Sequence, residues 1–163
     1  MADEVVIRKA NINDIDVLET LSKQFFETQL EINNIFKQEN ITKLTPRISI
    51  KERLNNKSFC FFIAEYKSIG IGYAGVQLAE RDILFEAKDY VLLVDMFINK
   101  DIFKKLNFYK ITSDLFGLCE KFARDNNRKF LCADVYGDNS RVKKLIETKD
   151  FREYRIRYVK ELK

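Results

Sequence analysis

Asp95 lies inside the run Val91-Leu92-Leu93-Val94-Asp95-Met96-Phe97-Ile98, a carboxylate with apolar residues on both sides. Burial penalises the charged form of a carboxyl group, so such a residue titrates above its ordinary range and can accept a proton near neutral pH. The competing reading is a strand-end aspartate held by the backbone or by a lysine. Glu65 and Glu80, at the ends of two further apolar runs, are weaker base candidates, with solvated side chains as their plain reading. Beyond Asp95, residues 103–113 carry Lys104, Lys105 and Lys110 and no carboxylate. Lysine is unfavourable near the positive end of a helix unless an anion sits there, so these side chains read either as a phosphate grip or as a solvated face. The chain has no histidine. That removes Ser-His and Cys-His nucleophile pairs and imidazole-dependent zinc sites, and no metal is expected. Proton transfer falls to carboxylates, Tyr, Lys or water.

The elements that must position these groups follow from hydrophobic period and turn chemistry. Val5-Val6-Ile7 reads as a short strand, and Asn11 or Asn13 as the cap of a helix that shows Ile15, Leu18, Leu21 and Phe25 on one face. The stretch from Glu31 to Lys57 holds the only proline, Pro46, and two helical fragments, the second about Ile48 to Leu54; it is placed to shape a substrate pocket. Phe59 to Glu65 and Gly70 to Leu78 form an antiparallel hairpin across Tyr66-Lys67-Ser68-Ile69. Arg81 to Asp89 reads as a turn. After the strand to Ile98, the spacing of Phe108, Ile111, Leu115, Leu118 and Phe122 predicts an amphipathic helix reaching Asn126. A strand from Phe130 to Val135 follows, then Gly137-Asp138-Asn139 opens a helix that stops at Asp150-Phe151. Tyr154, Ile156 and Tyr158 alternate with Arg155, Arg157 and Lys160 as a closing strand. Strand, lysine loop, helix, strand and Asn-headed helix make a site between two splayed strands for a thin ligand ending in a phosphate, which points to a coenzyme A user.

The 163 residues suit a single domain spanning 1–163, and 46% apolar composition with fourteen Phe predicts a globular, Phe-heavy core. The net charge of +4 is too small to argue for nucleic acid by itself. No apolar run is long enough to span a bilayer and the amino terminus lacks the apolar stretch of a signal peptide, so no membrane association and a cytoplasmic location are expected. Cys60, Cys119 and Cys132 all fall in strand or helix patterns and read as buried, reduced thiols without a catalytic role.

Several strings, in order, resemble the GCN5-related N-acetyltransferases. Val6-Ile7-Arg8-Lys9-Ala10 with Asp14 is similar to the family's opening strand and helix, and Ile63-Ala64-Glu65 with Gly72-Tyr73 to its central hairpin. Val94-Asp95-Met96-Phe97-Ile98 is similar to its fourth strand, Glu120-Lys121-Phe122-Ala123-Arg124 to the end of its cofactor helix, and Val135 with Asn139, Val142, Leu145 and Phe151 to the next strand and helix. The resemblance implies an α/β (α+β) fold with a mixed, mostly antiparallel sheet flanked by helices and a splayed fourth and fifth strand. It also implies acetyl transfer from acetyl-CoA to a small-molecule or peptide amine. Met96, Phe97 and Ile98 would then offer backbone groups to the pantetheine arm, which inserts like an extra strand, and Asn139 would touch the cofactor as well as cap its helix. Asp95 would take the amine proton.

Two departures bear on this reading. The family cups the cofactor pyrophosphate with a glycine-bearing loop, which this chain lacks. Counting back from Phe122-Ala123 places Asn107, Lys110, Ile111 and Thr112 in that loop, and counting forward from Ile98 places Phe103 to Phe108 there. Lysine charge would replace close backbone approach. The family's leaving-group tyrosine falls at Ile146, and Asp150 replaces a glycine, so Tyr136 or Tyr109 is left to protonate the thiolate, packing being their plain alternative. The departures keep a second reading open, a catalytically degenerate binding or interaction module. A third, nucleic-acid binding by the basic stretch from Arg141 to Lys163, is weakened by its interleaved carboxylates. The closing strand offers an edge for a homodimer.

Overall fold

The computed structural model describes residues 5–32, 49–80, 89–99, 106–136 and 139–154. Strand β1 (Val6–Lys9) ends at Asn11, whose side chain caps a short 3-10 turn, Ile12–Asp14, that runs into helix α1 (Ile15–Ile32). Asp14 returns the favour by accepting from the Asn11 N–H, a capping box that satisfies two helix-start donors at once. Helix α2 (Ile50–Asn55) is started by a second such box between Ser49 and Glu52. Strands β2 (Phe59–Tyr66) and β3 (Ile69–Glu80) turn on Lys67 and Ser68, both at positive φ, as a two-residue hairpin requires. Strand β4 (Asp89–Ile98), helix α3 (Phe108–Asp125), strand β5 (Phe130–Ala133) and helix α4 (Ser140–Glu147) complete the described elements. The fifth strand is shorter than the Phe130–Val135 read from the sequence, because residues 134–136 have left the ladder. The turn at 81–88, Pro46 and the closing strand beyond Tyr154 lie outside the described residues, and with them the proposed homodimer edge.

The strands form one sheet in the order β1-β2-β3-β4-β5, antiparallel except for the β4–β5 pair, which α3 connects. The fold is thus a mixed α/β sheet flanked by helices. One face packs Val76, Val91, Leu93, Ile111, Leu115, Phe116 and Cys119 beneath α3. The other packs Leu18, Leu21, Ile50, Phe61, Ile63, Tyr73 and Phe97 beneath α1 and α2. Fully burying each large apolar side chain stabilises the fold by about 1.5–3 kcal/mol.

Two irregularities redirect side chains. Gly75 pairs with Asp95 and Val76 with Leu93, so Val94 is an extra residue in β4. Without it, Val91, Leu93, Asp95 and Phe97 would share one face; with it, Val91 and Leu93 join the α3 core while Phe97 joins the α1–α2 core. A second extra residue, Ile71 in β3, does the same at the other end of the hairpin, where Ala64 pairs with Gly72 and Glu65 with Gly70.

Candidate active site

The bulge at Val94 delivers Asp95 to the α1–α2 face, where Arg53 of α2 meets it at 3.6 Å. The Asp95 side chain is 12% exposed and forms no hydrogen bond among the described residues. Burial pushes its carboxyl above the usual carboxylate range, and the Arg53 charge only partly draws it back. The guanidinium lies 5.6 Å over the Phe59 ring, and its Nε is buried without a partner among the described residues. The Tyr73 hydroxyl is buried too. Desolvation raises it well above a normal phenol, the Asp95 charge adds to this, and Ser22 of α1 draws it back without a hydrogen bond of good geometry. Glycine at position 75 helps pack this region: a Cβ there would stand 2.9 Å from the Phe61 ring.

On the other side of Asp95 the sheet opens. Strands β4 and β5 pair only from Tyr90 with Phe130 to Leu93 with Ala133. From Val94 onward β4 has no strand on that side among the described residues, which leaves the backbone edge of Met96, Phe97 and Ile98 without a β5 partner, with Phe97 and Ile98 themselves buried. Tyr136, three residues past β5, is partly exposed. Burial raises its phenol, and the charges of Asp95 and Asp134 raise it further, so Tyr136 lies within electrostatic reach of Asp95. Asn139 is buried, and its side chain accepts from the Val142 N–H as the cap of α4.

At the α3 start, Asn107 is the cap and accepts from the Lys110 N–H, while Lys110 reaches back over the surface to Asp114 at 3.7 Å. Ile111 and Thr112 point into the core, and the Thr112 hydroxyl donates to the Phe108 carbonyl. Their side chains serve packing, so of these four residues only Asn107 and Lys110 present exposed side chains. Tyr109 is exposed and makes an edge contact with the Phe108 ring. Lys104 and Lys105 lie outside the described residues.

The remaining sequence candidates resolve plainly. Glu65 is not a solvated carboxylate: it accepts two hydrogen bonds from Arg8, at 2.7 and 3.0 Å, while Arg8 also forks onto buried Asp14 with two bonds of 2.8 Å. Glu80 is exposed and pairs loosely with Arg128. Burial raises Cys60, and it pushes Cys119 up to about 12, with Cys60 and Glu120 adding to the rise; both thiols therefore stay protonated. A cavity of about 290 Å³ beside Lys9, Lys57 and Cys60 contains no carboxylate and offers no base. Arg53 and Tyr73 are the site residues that sequence reading missed. Arg53 stands in a six-residue helix distant in sequence from Asp95, and only its i+3 placement after a buried Ile50 hints that it faces the sheet.

No protein-family profile matches the chain, and no curated protein matches it in sequence. Solved structures do match in shape. The aminoglycoside N-acetyltransferase AAC(6')-Iy, in complex with the bisubstrate analog CoA-S-monomethyl-acetylneamine, is similar at a TM-score of 0.72 and 15% identity, covering 98% of this chain and 99% of its own. The BH1408 protein of Bacillus halodurans, as a tetramutant, gives 0.78 at 17% identity over 96% and 99%. An aminoglycoside acetyltransferase from an uncultured soil metagenomic sample, in complex with sisomicin, gives 0.65 at 16% identity over 98% and 97%. Together with the mixed sheet and its parallel β4–β5 pair, these define the class: the chain has the GCN5-related N-acetyltransferase fold.

Proposed function

We propose that this protein is an acetyl-CoA-dependent N-acetyltransferase in which a bound amine attacks the thioester directly. The observation that carries the reading is Asp95: a mostly buried carboxylate with a raised pKa, turned by a strand bulge in the stretch of β4 that runs on past β5. Acetyl-CoA is the co-substrate. Its pantetheine would lie along that stretch, against the backbone of Met96, Phe97 and Ile98, hydrogen-bonding as a strand would. Its pyrophosphate would sit at the α3 start, held by first-turn N–H groups, Asn107, Lys110, Lys104 and Lys105, with Ile111 and Thr112 contributing backbone only. Asn139 would fix the α4 start beside the cofactor. That fold neighbours have been solved with coenzyme A or an aminoglycoside supports a small-molecule amine as acceptor.

Asp95 would take the proton that an ammonium must lose before it attacks. Positioning supplies much of the remaining rate. The collapsing tetrahedral intermediate would expel the coenzyme A thiolate, and Tyr136, past the end of β5, is the phenol we assign to protonate it. A thiol-release assay with acetyl-CoA and an amine panel tests the proposal. Transfer by the wild type, with loss of turnover in Tyr136→Phe and in Asp95→Asn, is the expected result. A protein that binds acetyl-CoA and acetylates no amine would be the degenerate binding module instead.

A further inference from the structure

Arg53 and Asp95 form a pair that is only half used. A guanidinium has five N–H donors in a planar fork. Here it offers one long contact of 3.6 Å to Asp95 and leaves its buried Nε without a partner among the described residues. A buried donor left unpaired is unfavourable, and an incoming acceptor oxygen removes that cost. Asp95, for its part, is mostly buried and receives no hydrogen bond among the described residues. A site with one unfilled anion-binding fork and one unfilled cation-binding carboxylate, 3.6 Å apart, is complementary to a small zwitterion.

We propose that the acyl acceptor is an α-amino acid, its amine directed to Asp95 and its carboxylate taken by Arg53. The proposal rests on the acetyl-transfer reading above and names its substrate class. The spacing favours charges carried one carbon apart, since Arg53 and Asp95 already touch and a longer amino acid would have to fold back on itself to reach both. Inserting the zwitterion exchanges one long ion pair for two short ones. Arginine suits the carboxylate end better than lysine because its fork bonds both oxygens at once, and its stacking on Phe59 holds the plane of the fork. The same residue selects against polycationic acceptors, whose additional ammonium groups would face its positive charge.

The test compares each of the twenty α-amino acids with its own carboxamide, which keeps the amine and removes the anionic oxygen. Two readouts are used: thiol release from acetyl-CoA, and calorimetric binding to the protein saturated with coenzyme A. Wild type should prefer at least one acid over its amide by about tenfold or more in kcat/KM and in affinity. Arg53→Lys should lose most of that preference, and Arg53→Ala all of it, with acetyl-CoA affinity unchanged in both; circular dichroism verifies that each variant folds. Equal use of acid and amide by the wild type overturns the proposal. So does an equal loss on acid and amide in Arg53→Lys, which would make Arg53 merely the counter-ion of Asp95. Preference for an aminoglycoside such as kanamycin also overturns it. Acid-selective binding without turnover would leave the amino-acid site standing, while the acetyltransferase reading, and the acceptor role with it, fails.

Discussion

Two aspartates that each meet an arginine titrate in opposite directions, and the geometry of the pairing is the reason. Asp14 receives a two-bond fork from Arg8, whose hydrogen bonds hold its carboxyl below the usual range against the opposing effect of burial. Asp95 receives one long contact, and burial wins. A lowered carboxyl contributes stability above the unfolded value of about 3.9, lost as pH falls through the folded pKa. Asp14→Asn should therefore cost about 1–2 kcal/mol at pH 7, after allowance for solvent around Arg8, and the penalty should shrink below about pH 4. For Asp95 the sign reverses: the folded protein binds this proton more tightly than the unfolded chain does. Relative to wild type, Asp95→Asn should gain stability as pH rises from about 4 through the folded pKa. Denaturant melts of both variants between pH 3 and 8 read the two slopes, and parallel curves would contradict the assignment. In activity, Asp95→Asn should lower kcat by ~10²–10⁴-fold at neutral pH with acetyl-CoA affinity retained. The deficit should narrow at higher pH, where more of the amine is already neutral. Full activity in this variant would place the base elsewhere.

At the scale of elements, β4 decides the site through what it lacks as much as through what it carries. Val94 is its unpaired residue, and past Leu93 it has no β5 neighbour. Gly72 of β3 keeps this end of β4 close, since a Cβ there would come within 2.7 Å of the Phe97 carbonyl oxygen and 3.2 Å of the Ile98 Cα. Backbone cannot yield as a flexible side chain does. Gly72→Ala should thus cost about 1–3 kcal/mol and, on the proposed reading, weaken coenzyme A binding by shifting the strand edge that would hold the pantetheine. Gly75→Ala, whose Cβ meets only the Phe61 ring, should cost less. Helix α3 gives a sharper contrast. Thr112→Val removes a hydroxyl that bonds its own helix, so coenzyme A affinity, by calorimetry, should stay within about twofold. The combined Lys104→Ala, Lys105→Ala and Lys110→Ala variant should lose affinity, and wild-type binding should weaken with salt as exposed charges do. An unchanged Kd in that triple variant would return the lysines to a solvated face.

For the whole molecule, the proposed reading has the cofactor bind where β4 runs on past β5, a site that only the folded chain would offer. Acetyl-CoA at 100 times its Kd should then stabilise the fold by about 2.7 kcal/mol. For a chain of this size that is a rise in Tm of several degrees, growing with the logarithm of ligand concentration. A melting point indifferent to millimolar acetyl-CoA would remove the cofactor from the proposal. Among the described residues no helix is long and apolar enough to cross a membrane, and no group of His, Cys, Asp and Glu is placed to hold a metal ion.

Element order and core faces were legible because they depend on local period. Alternation marks the hairpin, and a 3.6-residue repeat marks α1 and α3; the mixed sheet follows from a long helix between β4 and β5. Asp95 was legible as a buried carboxylate since a charge among eight apolar-run residues has few other places to be. What local pattern cannot encode is which partner arrives from elsewhere in the chain. The bulge at Val94 depends on the register with β3, so plain alternation would have aimed Asp95 at the α3 core. Arg53 meets Asp95 only because α2 is laid against β2, and Glu65, solvated on a local reading, is claimed by Arg8 across the β1–β2 ladder. Ile111 and Thr112 fell in a motif-like position but were taken by the core, since the helix rotates them inward. Sequence determined the elements and the chemistry available; tertiary structure decided which charges face one another, because electrostatic pairing falls off over a few ångströms and strand register is set between segments distant in the chain.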